Sequence, residues 1–124
     1  MITSSDKVKT SNYGFLNVKS NGEPWRITHP KNYSINQLIV ADQLAMKYQS
    51  NIMSFHEHHQ SIGRDRYNHY TIMNVGCLAD PSKLAYTVMD DSKSAGMVQG
   101  FAMLKNGVGS LFGRYPFTDW SEYF

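Results

Sequence analysis

Two Asn-Gly pairs, Asn21-Gly22 and Asn106-Gly107, each sit between short β-type runs. Asn-Gly suits the tightest hairpin connection, whose two central residues both need positive φ. The spacing predicts one hairpin from Tyr13-Gly14-Phe15-Leu16-Asn17-Val18 into Trp25-Arg26-Ile27-Thr28. It predicts a second from Val98-Gln99-Gly100-Phe101-Ala102-Met103-Leu104 back through Val108-Gly109-Ser110-Leu111-Phe112. Hairpins near both ends commit the chain to sheet, and the segment between them must supply what packs on that sheet.

The segment between opens with a helical pattern over 34–49. Ser34 with Gln37 three residues later makes a capping box. Ile35, Leu38, Ile39, Ala41, Leu44, Ala45 and Tyr48 recur every three or four positions, while Asn36, Asp42, Gln43 and Lys47 fall largely on the other side. This predicts an amphipathic helix laid on a sheet, its stripe being core. Asn51-Ile52-Met53-Ser54-Phe55 and Tyr70-Thr71-Ile72-Met73-Asn74-Val75 read as strands, with a bend at Gly76 and a turn at Asp80-Pro81. The order hairpin, helix, strand, strand, hairpin predicts an α/β, or α+β, layer: one main helix packed on a mostly antiparallel or mixed sheet. Residues 1–124 are expected to form a single domain with 1–24 as an N-terminal hairpin segment, and Tyr115-Pro116-Phe117-Thr118-Asp119-Trp120 to pack on the sheet edge.

Composition excludes several classes. Apolar residues at 41% and charged residues at 18% fit a globular chain, not a disordered one. A net charge of +2 is too weak to argue for nucleic-acid binding, and Lys7, Lys9 and Lys19 read as a solvated surface. Cys77 is the single cysteine, so no internal disulfide forms, which fits a reducing compartment; in its apolar run it reads as a small buried side chain. No apolar run approaches the roughly 20 residues of a membrane span, and Met1-Ile2-Thr3-Ser4-Ser5-Asp6 carries no signal-type apolar region. A soluble cytoplasmic protein without a membrane partner is expected.

The chemistry concentrates in Ser54-Phe55-His56-Glu57-His58-His59, three histidines within four residues at the end of a strand. A strand that delivers imidazoles into a loop is a common way to build a metal site; a histidine-rich polar loop is the alternative, and spacing alone leaves the two level. On extended backbone His56 and His58 would share a face and Glu57 would point away. His29 also stands at a strand exit, before Pro30. Arg64 and Arg66 follow the histidines closely and can attract an anion such as phosphate; equally they can belong to a solvated turn.

Taken in order, His29, a helix, a strand ending in His56-Glu57-His58, and a strand into Asn74-Val75-Gly76-Cys77-Leu78-Ala79-Asp80-Pro81 resemble the C-terminal half of a calcineurin-like metallophosphoesterase. The continuation through Tyr86, Gly100-Phe101 and Pro116-Phe117-Thr118-Asp119-Trp120 is similar to bacteriophage versions. The resemblance covers residues 25–120 and implies half of that family's sandwich and a two-metal phosphoesterase site with a metal-activated water. It implies that His29 and His56 ligate one divalent ion, manganese or zinc, and His58 the other. His59, Arg64 and Arg66 become weak candidates for phosphate or substrate contact. His69 matches no ligand, and no residue is assigned a catalytic role.

The chain departs from the family pattern in two places. Phe55 stands where the motif has glycine. The family's Asp-x-His, Gly-Asp-x-x-Asp and Gly-Asn-His-Asp/Glu elements are absent from this sequence, and with them the carboxylate that bridges two ions. Three histidines alone suit an ion such as zinc better than magnesium or calcium. The resemblance therefore implies an enzyme half, inactive alone and hydrolysing phosphoesters only when completed by a missing N-terminal half. The alternative is a catalytically inactive, phage-encoded binding protein that inhibits a host nuclease or defence complex in the host cytoplasm. The expected partners are that missing half, a second copy in a homodimer, or a host protein, with nucleic acid entering only as substrate. Autonomous single-metal hydrolysis ranks last.

Overall fold

The computed structural model describes residues 8, 10–78, 98–113 and 121. The turn expected at Asp80-Pro81, Tyr86 and the aromatic stretch Tyr115 to Trp120 lie outside the described residues. The elements in chain order are β1 (Phe15–Ser20), β2 (Glu23–Thr28), α1 (Ile39–Tyr48), β3 (Asn51–Ser54), β4 (Gln60–Arg64), β5 (Thr71–Val75), β6 (Gly100–Lys105) and β7 (Val108–Gly113). The first five strands form a mixed sheet in the order β1-β2-β3-β5-β4, and β6 and β7 form a separate hairpin. The helix packs on one face of the sheet and the hairpin on the other, so the α+β layer expected from the element order is what forms.

Both Asn-Gly turns close as two-residue turns with both residues at positive φ, Asn21 50° and Gly22 79°, Asn106 52° and Gly107 84°. The two turns also meet. The Gly107 N–H donates to Ser20 Oγ at 2.8 Å, and Trp25 Nε1–H donates to the Gly107 carbonyl at 3.2 Å. The second hairpin is thereby pinned over the first, with Ala102, Leu104 and Leu111 against Trp25, Met53, Met73 and Val75.

The middle of the sheet is parallel, β2 beside β3 and β3 beside β5. Asn51-Ile52-Met53-Ser54 and Thr71-Ile72-Met73-Asn74 carry the same polar–Ile–Met–polar pattern and pair in register, Ile52 with Ile72, Met53 with Met73, Ser54 with Asn74. Alternation sends the two isoleucines to the helix face, against Ala41 and Ala45, and the two methionines to the hairpin face. Strands buried on both faces are what a parallel sheet requires. Asn51 fastens their starts: its Nδ2–H donates to the Pro24 carbonyl at 2.9 Å, and its Oδ1 accepts the Thr71 N–H at 2.8 Å.

Two expectations are corrected. The helix begins at Ile39, not Ser34, and its first turn lacks a side-chain cap, with Leu38 at φ 68°. Ser34 serves a local turn, its Oγ accepting the Asn36 N–H, and its own N–H donates to the Glu57 carboxylate. Ile35 is consequently exposed, and the buried helical residues are Val40, Ala41 and Ala45. Arg64, for which a solvated turn is one of the two open readings, lies instead on an edge strand, Gln60 to Arg64, antiparallel to β5. Its order comes from pairing, since it has little apolar pattern of its own.

Gly109 on β7 sits where the hairpin presses on the side chains of the sheet. A Cβ there would lie 2.5 Å from Met73 Cε and 2.7 Å from Trp25 Cη2. Gly109→Ala should destabilise the fold by about 1–3 kcal/mol through overpacking, read as a lower urea midpoint with an unchanged slope. An unaltered midpoint would mean that the hairpin does not press on the sheet as described.

Candidate functional site

The parallel register carries one row of polar residues across the sheet. Thr28 pairs with Ser54, Ser54 with Asn74, and Asn74 with Ser61, so β2, β3, β5 and β4 each contribute one. The row lies on the helix face, one step along from Ile52 and Ile72. Thr28, Ser54 and Asn74 are buried, and Thr28 Oγ1–H donates to the Gly14 carbonyl at 3.2 Å. Directly beyond the row the chain leaves β2 at His29 and β3 at Phe55. The carboxyl ends of parallel strands are where open sheets present their ligand-binding loops.

The loop alternates in burial. Phe55 packs against the hairpin-side core, and its N–H donates to the Thr28 carbonyl at 3.2 Å. Glu57 turns into the interior, 1% exposed, where Oε1 accepts the Ser34 N–H at 2.8 Å. His59 is buried as well, while His56 and His58 stay half-buried. His56 and Glu57 form a turn and His58 adopts φ 59°, so the two histidines are set by loop curvature and not by a shared strand face. The His58 carbonyl accepts the Val98 N–H at 2.9 Å, tying the loop to the chain just before β6.

His29 and His56 are brought together from adjacent strands. Their ring centroids are 4.8 Å apart with 64° between the planes. Tyr33 stands over the group, 6.1 Å from His56 and 6.4 Å from His59. The ionisable neighbours that act on His58 are His56, His29 and His59. Burial, and then His29, holds the His56 pKa below its ordinary value. Burial, and then the three neighbouring histidines, does the same for His58. Burial pushes the Glu57 pKa up, against the opposing pull of the Ser34 N–H, His59 and Asn74. The Asn74 amide lies beside that carboxyl without a hydrogen bond of normal geometry.

Two imidazoles bound to one zinc ion at ordinary Zn–N lengths have centroids roughly 5 Å apart, so the His29–His56 pair is compatible with a shared ion. Among the described residues no three His, Cys, Asp or Glu side chains are gathered in a way that could hold an ion. His58 joins the pair electrostatically without completing a ligand triad. Glu57, the carboxylate within the loop, has one oxygen committed to Ser34 and lies inside the protein.

Arg64, Arg66 and His69 sit at the far end of β4 and β5, roughly 13 Å along the strand from the histidine loop. Arg64 binds Asn68 and Thr71. Arg66 forks onto Asp42 near the start of α1, with Nε–Oδ2 at 2.8 Å. The sequence proximity that linked these arginines to the histidines does not become proximity in space. His59 stays with the site, its Nδ1 buried and without a hydrogen-bond partner.

Sequence reasoning missed the row Thr28, Ser54, Asn74 and Ser61, and also Tyr33. The signal was present: the polar–Ile–Met–polar repeat of β3 and β5 places Ser54 and Asn74 at equivalent positions. No protein-family model, no curated protein and no solved structure matches the chain.

The lowered pKa values of His56 and His58 have a sign that can be checked. In the folded chain both bind a proton less readily than at 6.5, their ordinary value. Their contribution to stability is therefore full above 6.5 and is lost as pH falls through the lowered values. In chelator-treated protein, unfolding free energy should decline from near 6.5 downward, and His56→Gln/His58→Gln should show a shallower decline. Parallel curves for the two proteins would place both imidazoles in ordinary solvent.

Proposed function

We propose that this chain carries the histidine half of a two-metal phosphoesterase centre. His29 and His56 take one divalent ion, manganese or zinc, and His58 takes the other, as the resemblance to a calcineurin-like metallophosphoesterase implies. The observation that carries this reading is the approach of His29 and His56 at the carboxyl ends of adjacent parallel strands. The depressed affinity of His56 and His58 for protons supports it further, since metal binding requires neutral imidazole.

The bound ions would supply Lewis-acid charge and an activated water. The chain's own residues do the rest. Phe55 and Glu57 anchor the loop on opposite sides, so that His56 is presented between two fixed points and His58 directly after the second. Tyr33 stands beside the His56 and His59 rings. An open groove of about 310 Å³ runs beside His29 with Tyr13, Phe15, Ile27 and Phe55 along it, an apolar surface suited to the organic part of a phosphoester. A bridging carboxylate has no counterpart among these residues, so hydrolysis by this reading requires acidic groups from another segment or another chain.

Chelator-treated protein should bind zinc or manganese saturably at near-stoichiometric level, measured by elemental mass spectrometry after dialysis. His56→Ala/His58→Ala should lower the bound metal at least tenfold while the circular dichroism spectrum is retained. With manganese present, the chain alone should turn over no phosphodiester above background. Equal metal content in the wild type and the double variant would sink the assignment. That result would favour the alternative of a metal-free binding protein acting on a host nuclease or defence complex.

A further inference from the structure

At the opposite end of the sheet a second polar feature has no role in the histidine site. Arg26 of β2 is 8% exposed. Its guanidinium carbon lies 3.7 Å from the Phe15 ring centroid and 3.8 Å from the Tyr48 ring centroid, so the group is clamped between two aromatic faces. Its Nη1–H donates to Asn17 Oδ1 at 3.3 Å, and its Nε is buried without a hydrogen-bond partner. A buried guanidinium normally faces a carboxylate or another anion, because leaving the charge uncompensated is costly. Among the described residues the acceptor is one neutral amide.

Arg26 lines a cleft of about 330 Å³ together with Asn17, Lys19, Trp25, Tyr48 and Ser50. No Asp or Glu is among the described residues that line it. Lys19 adds a positive charge at the cleft, and Lys47 stands over the Tyr48 ring with Nζ 5.3 Å from its centroid. Gln49 Nε2 donates to Met46 O and Ser50 Oγ to Asn51 O. The charged groups that line the cleft are Arg26 and Lys19. A guanidinium stacked on both faces can act only through its edge, the planar fork that matches phosphate oxygens.

We propose that this cleft is an anion site for a phosphate group, free or carried as a phosphomonoester on a small molecule, with Arg26 as the fixed donor and Lys19 as the second charge. Burial of the fork makes the site selective for an anion that can enter the cleft, and the Tyr48 ring at its edge suits an attached ring.

The test follows the Arg26 Nε–H resonance in arginine-labelled full-length protein, in mildly alkaline chelator-containing buffer that removes metal and keeps the histidines neutral. Inorganic phosphate should shift that resonance saturably in the millimolar range. Lys19→Ala, an exposed substitution that leaves the fold intact, should weaken the effect about three- to fivefold, the scale of one partly screened charge. Phenyl phosphate binding several-fold tighter than phosphate would assign the site to phosphomonoesters, and equal affinity to free phosphate. His29→Ala/His56→Ala should leave the titration unchanged. No saturable shift with either anion, or a shift insensitive to Lys19→Ala, would overturn the proposal and leave Arg26 as a stacked structural cation.

Discussion

The in-register parallel pairing of β2, β3 and β5 governs both the core and the candidate site. It puts Ile52 beside Ile72 and Met53 beside Met73, which builds the helix-side and hairpin-side cores from the same four residues. One step further it puts Thr28, Ser54 and Asn74 side by side, with Ser61 continuing the row on β4. A slip of one residue would exchange the faces of every side chain. Isoleucines would then meet the hairpin, methionines the helix, and the polar row would break. Ser54 Oγ, Ser61 Oγ, both polar atoms of the Asn74 amide, Glu57 Oε2 and His59 Nδ1 are buried there without a hydrogen-bond partner. Buried polar groups are ordinarily satisfied, so this end of the sheet is built from side chains that packing alone would not favour.

The loop beyond that row depends on where its two non-histidine residues go. Glycine in this position of a metal-binding loop permits backbone shapes closed to other residues. Phe55 is not among the positive-φ residues of this chain, so no such shape is required of it. Its ring has a place against Trp25, Met53 and their neighbours, and its N–H extends the ladder from β2. Glu57, two residues on, drops into the opposite interior and captures the Ser34 N–H. Ser34 Oγ meanwhile accepts the Asn36 N–H of a local turn and Leu38 stands at positive φ, so the helix starts at Ile39 and not at Ser34.

What was legible in the sequence divides along the range of the interaction. Both hairpins could be read from Asn21-Gly22 and Asn106-Gly107 because a two-residue turn is decided by its own residues. The strands Asn51–Ser54 and Thr71–Val75 were legible from their β-type composition; the exit toward His56 followed from the first of them, and the exit at His29 from the first hairpin. The start of α1 was not legible, since Ser34 Oγ serves a turn at Asn36 instead of a cap and Leu38 takes a positive φ that its residue type does not announce. Nor was β4, whose Gln60-Ser61-Ile62-Gly63-Arg64 acquires strand form from β5. The separation of Arg64 and Arg66 from the histidines follows from that same strand, which carries the chain away from the loop and not around it.

The strands that hold the histidines also fix their distance from the charged cleft. Arg26 and His29 are three residues apart on or next to β2, roughly 10 Å along extended backbone, and that strand is paired on both sides. One end of the sheet therefore offers imidazole nitrogens, and the other offers the planar donor fork of a guanidinium. The two share no hydrogen-bond partner among the described residues; Thr28 and Asn51 belong to separate ends, one bonded to Gly14 and the other to Pro24 and Thr71. The Phe15 side chain touches both ends, stacking on Arg26 and lining the groove beside His29, so coupling between the two ends runs through its ring. The sheet works as a spacer between the two polar ends, and its rigidity comes from the two apolar layers that the Ile–Met repeat creates between them.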